Sequence, residues 1–409
     1  MYLASVERPA GTIDRTKRIA ANVFALGAVS LVTDVSSEMV SAVLPLYLVV
    51  GLGLGPVVYG VLDGLYTGAT ALLRLVGGYV ADRVQRRKLI AGLGYGISAV
   101  AKAGLLAAGA SVPALGAAIV ADRAGKGLRT APRDALITLA TPPADLGRAF
   151  GVHRAMDSAG AFAGPLVALA VLAGSGQAFD AVFVVSGCVA AIGVLVLVLF
   201  VRDHRGPAVA SKAVDLRAAA ALLRIAPVRW LLFGAILLGL STIGDGFVYL
   251  LLQRRENLAV GWFPLLAVGT SLAYLLLAVP LGTLADRIGR PAVFLGGYAS
   301  LAAVYLLLTT AWGGLPALVT VLFLYGVFYA ATDGVLMALA GPLLPAELRT
   351  TGLALIQTGQ ALAYLVSSVL FGLAWARWDA AGATRFAAVA GLVTLAGSAT
   401  LLLRTRRAR

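Results

Sequence analysis

The chain has 409 residues, of which 60% are hydrophobic and 13% are charged, with a mean hydropathy of +0.92. Soluble domains carry about 25% charged residues, so this composition excludes an ordinary soluble fold and indicates a helical membrane protein. The single cysteine, Cys188, excludes an internal disulfide and a cysteine metal cage.

Apolar segments of membrane-spanning length recur along the whole chain, since ~20 apolar residues cross a ~30 Å hydrocarbon core. We predict twelve membrane helices, here called spans 1 to 12. They lie near 20–48, 56–80, 88–110, 113–138, 147–172, 179–201, 229–252, 262–284, 291–312, 315–340, 351–375 and 383–404. The longest polar stretch, 202–228, divides an N-terminal six-helix bundle (1–201) from a C-terminal one (229–409).

The net charge of +14 follows a topological pattern. Twenty-two of the 33 Lys and Arg residues lie in the polar segments on one side of the predicted membrane, which include 1–19, 83–88, 202–229 and 404–409. Four lie in the loops on the opposite side. Basic residues are enriched on the cytoplasmic side of membranes. We therefore predict a multi-pass protein of the cell (inner) membrane with both termini cytoplasmic, and no nucleic-acid partner. The first ~18 residues lack a cleavage pattern, so we expect span 1 to be retained.

The two halves repeat each other in sequence. GGYVADRVQRRK at 77–88 is matched by LGTLADRIGRPA at 281–292, and PADLGRAFG at 143–151 by PAELRTTG at 345–352. On these motifs the chain resembles the major facilitator superfamily over nearly its full length, although Gln85 stands where the family usually has Gly. The resemblance implies two bundles around a central cavity, with alternating access.

Charged residues of the repeated motifs, together with Arg133 and Asp157, form the predicted gate. A carboxylate at a helix end caps a neighbouring helix or pairs with an arginine, and pairs that break in one state act as a gate. The alternative is that these charges only fix loop topology. The gating set comprises Asp82, Arg83, Arg86, Asp286, Arg287, Arg290, Arg133 and Asp157.

Span 1 carries two carboxylates that share one helical face, because Asp34 and Glu38 are four residues apart. A carboxylate at membrane depth usually serves a cavity, a partner or a proton pathway. We predict that Asp34, assisted by Glu38, carries the proton of a transport cycle. The alternative is a static pair between each carboxylate and an arginine.

Span 4 contains RAGKGLRTA at 123–131, which resembles the span-4 motif of proton-coupled drug exporters. Arg123 and Gly127 match that motif, whereas Lys126 replaces the usual Gln and Arg129 replaces a small residue. The resemblance implies a proton-coupling role for Arg123 and makes it the candidate partner of Asp34 or Glu38.

Span 5 carries a second exporter-like pattern. Gly151, Gly160 and Gly164-Pro165 reproduce most of the glycine spacing of antiporter-type facilitators, with Ala168 and Leu169 in place of its final Gly-Gly. The resemblance implies export by antiport. The alternative is ordinary packing of small residues between membrane helices.

Polar side chains within the spans predict a substrate cavity, since lipid penalises them elsewhere. The predicted cavity residues are Asp63, Arg74, Lys126, Arg129, Asp245, Tyr329, Asp333, Gln357 and Gln360. Asp63 is alternatively an external gate. Lys126, Arg129 and Arg133 either favour an anionic substrate or pair with Asp122, Asp134 and Asp157.

The sequence therefore predicts a secondary active transporter, a proton-coupled exporter (antiport, efflux) of small organic or drug-like compounds. The alternative is a transporter of an organic anion, a metal chelate or a metal ion, the last bound through Asp34, Glu38, Met39, His153 and Met156. No Walker loop and no nucleophile–base set is visible, so we expect no enzyme activity and no cofactor. The expected partners are the substrate, protons and the lipid bilayer, and the expected state is a monomer.

Overall fold

The computed structural model describes residues 20–84, 86–142, 145–203, 221–345 and 348–407, a part of the chain that is helical and contains no strand. The helices are α1 (Ala21–Leu46), α2 (Pro56–Val84), α3 (Arg87–Ala108), α4 (Val112–Leu139), α5 (Leu146–Gly174), α6 (Phe179–Phe200), α7 (Ala226–Gly239), α8 (Asp245–Arg255), α9 (Pro264–Ile288), α10 (Arg290–Thr309), α11 (Leu315–Thr332), α12 (Val335–Ala340) and α13 (Arg349–Arg407). A π-helical turn, Tyr47–Gly51, extends α1.

These helices account for twelve crossings. Spans 1 to 6 are α1 to α6, span 7 is α7 with α8, spans 8 and 9 are α9 and α10, and span 10 is α11 with α12. Spans 11 and 12 are the two parts of α13, which the non-helical residue Asp379 separates. Eight helical stretches of the described chain are long and apolar enough to cross a membrane. The predicted all-α membrane fold is confirmed.

An even number of crossings returns the chain to the side on which it began. We call the side that holds Ala20 and Arg407 the terminus end, and the other side the far end. Span 1 therefore runs from the terminus end to the far end, span 2 runs back, and this alternation continues to span 12. The positions of individual side chains below follow from this alternation.

Spans 7 and 10 are interrupted, although their apolar pattern predicts continuous helices. Residues 240–244 separate α7 from α8, and the Tyr305 hydroxyl holds this break by accepting from the Ile243 amide (3.0 Å) and donating to the Ser241 carbonyl (3.1 Å). Asp333 and Gly334 separate α11 from α12, and Gly334 has φ +75°. Glycine tolerates that conformation at little cost, which explains the second break.

Close helix packing explains the glycines of span 5. A Cβ atom at Gly160 would lie 2.3 Å from the Leu31 carbonyl oxygen, and one at Gly164 would lie 2.8 Å from that of Val35. Only glycine permits α5 to approach α1 so closely. The packing alternative is therefore sufficient to explain these two glycines.

The two halves contact each other near the far end. Asp63 of α2 accepts hydrogen bonds from Ser368 (2.6 Å) and Tyr364 (3.2 Å) of α13, and the Tyr59 ring lies 4.6 Å from that of Phe247. The two halves therefore meet through α2, α8 and α13 at this end. The division of the chain at 202–228 stays a prediction, and residues 204–220 lie outside the described residues.

Candidate functional site

Asp34 of α1 lies in a buried ionic cluster between α1, α3, α4 and α5. Its Oδ1 atom is 3.7 Å from Nη2 of Arg129, and both residues are less than a tenth exposed. The Arg129 guanidinium stacks 4.6 Å above the Tyr95 ring. Asp157 and Lys126 both interact electrostatically with Asp34. The structure thus brings Arg129, rather than Arg123, to Asp34.

Arg133 extends this cluster toward the terminus end. It lies 3.0 Å from the Asp134 carboxylate and 3.7 Å from that of Asp157, and it donates to the Ser30 hydroxyl (3.0 Å). Ser30 in turn donates to Asp157 (2.7 Å). Arg133 and Asp157 therefore join α4, α5 and α1 within the N-terminal half, and the pairing alternative for Arg133 agrees with these contacts.

A second buried cluster is centred on Asp122 of α4. Its carboxylate lies 2.7 Å from Nζ of Lys102 and accepts further hydrogen bonds from Ser98 and Arg123. The Arg123 guanidinium stacks 3.9 Å above the Tyr66 ring. Lys102 was not predicted to be a site residue, although a lone lysine in an apolar span indicates either a functional role or an ion pair.

Glu38 and Lys126 differ from the residues of these clusters. Neither forms an ion pair within 4 Å in the part of the chain that the structure describes, and each is partly exposed. Glu38 interacts electrostatically with Arg123 and also with Tyr249 of α8, across the boundary between the halves. Glu38 therefore lies close enough to the C-terminal half to interact with it, one helical turn from Asp34.

The breaks in spans 7 and 10 position the acidic residues of the C-terminal half. Asp245 is the first residue of α8 and accepts hydrogen bonds from the Tyr325 (2.7 Å) and Tyr329 hydroxyls. Asp333 follows α11, is exposed, and accepts from the Tyr274 hydroxyl (2.9 Å). Discontinuous helices with such polar ends form the substrate and ion sites of many transporters.

The two predicted glutamine positions lie on α13. Gln360 donates from its Nε2 atom to the Tyr298 hydroxyl (3.0 Å), whereas Gln357 is exposed. Gln360 thereby joins span 11 to span 9 within the C-terminal half. Its amide is engaged in packing in this structure, and Gln357 is the more accessible of the two.

Asp63 joins the two halves of the chain and lies beside the break in span 7. A Cβ atom added at Gly244 would lie 2.2 Å from Oδ2 of Asp63. A hydrogen bond to a charged group contributes about 1.5–3 kcal/mol, so Asp63→Ala should reduce the population closed at the far end about tenfold or more. Spin labels at Gly55 and Arg377, in a Cys188→Ser background, should report a longer and broader distance distribution. Ser368→Ala should have a smaller effect, because Tyr364 still donates. An unchanged distribution in Asp63→Ala would show that Asp63 does not hold the halves together.

The predicted gating motifs are described only in part. The side chains of Asp82 and Arg83 lie outside the described residues, as does that of the predicted cavity residue Arg74, and Arg86 is exposed. In the second motif Arg290 pairs with Asp286 at 3.3 Å. It also donates to the Ala338 carbonyl (2.6 Å), which links α10 to α12. Arg287 is exposed.

The residues proposed for a bare metal ion do not assemble into a ligand set. The described residues contain no group of three or more His, Cys, Asp or Glu that could hold a metal ion. His153 is 2% exposed, and its Nε2 atom has no hydrogen-bond partner. Met156 packs against Gly27.

Comparison with known proteins shows the family. The model of the major facilitator superfamily matches residues 26–264 and 255–409. The chain belongs to the major facilitator superfamily. It is 31% identical, over 378 residues, to an uncharacterized MFS-type transporter of Methanocaldococcus jannaschii, and the match covers 88% of this chain and 90% of that protein. An uncharacterized protein of Mycobacterium bovis is 37% identical over 153 residues, 37% of each chain. The chain is thus a membrane transporter of this superfamily.

Solved structures share the fold at low sequence identity. A nucleoside transporter superposes with a TM-score of 0.81 at 14% identity, covering 93% of this chain and 99% of that one. An inward-facing bacterial homologue of the human lysosomal transporter Spinster gives 0.73 at 16% identity, covering 95% and 96%. A peptide transporter gives 0.77 at 17%, covering 95% of each. Identities this low establish the fold alone.

Proposed function

We propose that this facilitator is a proton-coupled exporter of small organic compounds, working by alternating access and antiport. The observation that carries the proposal is the buried pair of Asp34 with Arg129, close enough to Asp157 for the two carboxyl groups to interact electrostatically. Two neighbouring carboxyl groups repel each other when both are ionised, and protonation of one of them relieves that repulsion. Such a group at membrane depth is suited to bind and release a proton.

The same contact couples the proton to the cavity. Protonation of Asp34 removes the charge that holds the Arg129 guanidinium, so the attraction between α1 and α4 weakens. Because α1 also carries Glu38 and α4 carries Arg123, a shift between these helices changes the cavity wall. A proton then favours one of two global states by its differential interaction with each.

We propose that the terminus end faces the cytoplasm, as the distribution of Lys and Arg indicates. With Asp63 closing the far end, the described arrangement is then closed to the outside. The pair of Asp286 with Arg290 lies at the cytoplasmic end of spans 8 and 9. It belongs to the gate that closes this end in the alternate state.

The anion alternative receives less support from the geometry. This alternative rested on three cations. Two of them, Arg129 and Arg133, each form an ion pair with a carboxylate. An incoming anion would have to displace Asp34, Asp134 or Asp157. Of these pairs only that of Asp34 with Arg129 is buried on both sides, and breaking a buried pair leaves an uncompensated charge at a cost of about 3–5 kcal/mol.

The proposal is tested with purified full-length protein in proteoliposomes. Vesicles with an acid interior are incubated with a mixture of organic cations, anions and neutral compounds, and the contents are measured by mass spectrometry. Antiport predicts accumulation of at least one compound, abolished by a protonophore. Accumulation that is unchanged by the protonophore would contradict proton coupling, and accumulation of no compound would contradict the transport proposal.

A further inference from the structure

A groove of about 1000 Å³ follows the membrane-facing side of α3 and is lined by α3, α4 and α6. On α3 its lining extends from Lys88 to Ala108, which is ~30 Å of helix at 1.5 Å per residue. That length matches the hydrocarbon core of a bilayer. Leu93 and Val100 line the groove and are 53% and 72% exposed. The groove is therefore open to the lipid, and the residues of the two ionic clusters do not line it.

Small residues create this groove. Gly92, Gly96 and Gly104 line it on α3, and four alanines line it on α4. A Cβ atom at Gly96 would meet no other atom within 4 Å, so this position opens into the groove. By contrast, a Cβ atom at Gly94 would lie 2.6 Å from the Gly125 carbonyl oxygen. Packing of α3 against α4 thus explains Gly94, whereas Gly96 leaves space that no described side chain fills.

The groove carries charge at one end only. Lys88 and Asp203 are its only charged lining residues in the described chain, and both lie at the terminus end. Asp203 accepts from the Lys88 backbone amide (3.4 Å), and Nζ of Lys88 donates to the Val198 carbonyl (2.9 Å). An ammonium group has three donors, so Lys88 can bind a further acceptor. Arg86, two residues earlier and exposed, makes this end of the groove net positive.

We infer that the groove binds an anionic glycerophospholipid, with its phosphate on Lys88 and an acyl chain along α3. Basic pockets between membrane helices on the cytoplasmic side bind anionic headgroups, and we place the terminus end on that side. Lipid tails are as apolar as the groove wall, so chain packing is van der Waals contact and the headgroup supplies selectivity. The site lies outside the central cavity, and the inference does not depend on the proposed transport function.

The inference is tested by native mass spectrometry of the purified full chain after removal of bound lipid. The protein is titrated with phosphatidylglycerol and with phosphatidylcholine of identical acyl chains. We expect phosphatidylglycerol to bind at least about tenfold more tightly. Glycerol 3-phosphate, which has the phosphate without the chains, should not displace it at equal concentration. Equal binding of the two lipids, or displacement by glycerol 3-phosphate, would overturn the inference.

Matched variants locate the site. Gly96→Leu, which fills the groove, and Lys88→Gln, which removes its charge, should each weaken phosphatidylglycerol binding about tenfold. Lys88→Arg keeps the charge and should retain the selectivity. The control is Gly296→Leu, because Gly296 of α10 is exposed and a Cβ atom there also meets no atom within 4 Å. This control should bind as the unmodified chain does.

The unfolding temperature without lipid shows whether each variant folds, and Gly96→Leu should fold because its side chain enters open space. Unaltered phosphatidylglycerol binding in Gly96→Leu or in Lys88→Gln would overturn the inference. So would a dimer of the unmodified chain that Gly96→Leu dissociates, because a second copy of the chain would then occupy the groove.

Discussion

Asp34→Asn is expected to abolish proton-driven transport while the protein still folds. The amide retains the size of the side chain and a hydrogen-bonding oxygen, but it cannot exchange a proton. The substitution also removes the carboxylate that lies 3.7 Å from the Arg129 guanidinium. We expect accumulation of the transported compound in acid-inside vesicles to fall at least about tenfold, to the level reached by exchange without a proton gradient.

Controls separate coupling from folding. Substrate exchange at equal pH should persist in Asp34→Asn, because alternating access without proton movement remains possible. Asp34→Glu should retain part of the gradient-driven flux, and Asp180→Asn, at an exposed position of α6, should retain all of it. Full gradient-driven accumulation by Asp34→Asn would remove Asp34 from the coupling mechanism.

Asp122→Ala is expected to cause the largest loss of stability among single substitutions in the N-terminal half. Asp122 is the shared partner of Lys102 and Arg123, which are 2% and 3% exposed. Removing one member of a buried pair typically costs about 3–5 kcal/mol, because the remaining charge is left uncompensated. The thermal unfolding temperature in detergent should fall accordingly, and Lys102→Met in the same chain should recover part of the loss.

The matched comparison is Lys102→Met alone. Asp122 then keeps Arg123, so this variant should be less destabilised than Asp122→Ala. A change below about 1 kcal/mol for Asp122→Ala, the range of an exposed pair, would show that the cluster contributes little to stability.

The fold could be predicted from sequence because two signals reinforced each other. Hydropathy located the twelve spans, and the paired motifs at 77–88 and 281–292 revealed the repeat. The breaks at 240–244 and at Asp333–Gly334 escaped prediction, since apolar residues continue on both sides of each. A break held by Tyr305, some sixty residues away in sequence, depends on tertiary contact and leaves no local signal.

The composition of the site was easier to predict than its pairing. Periodicity placed Asp34, Arg129, Arg133 and Asp157 within the N-terminal half, but it could not say which residues meet. Family resemblance favoured Arg123 for Asp34, whereas the structure places Arg129 there and engages Arg123 with Asp122 and Tyr66. The relative position of the helices decides these partners, and between α3 and α4 it depends on a glycine contact, since a Cβ atom at Gly94 would lie 2.6 Å from the Gly125 carbonyl oxygen.

The central claim is that a proton and an organic compound move in opposite directions through one cavity. The most direct measurement is the internal pH of proteoliposomes, followed with a trapped dye, when an inward gradient of a transported compound is applied without any initial pH difference. We predict that the interior becomes alkaline as protons leave, and that Asp34→Asn abolishes this change while compound exchange continues. Entry of the compound with no pH change, or an equal pH change in Asp34→Asn, would contradict the account.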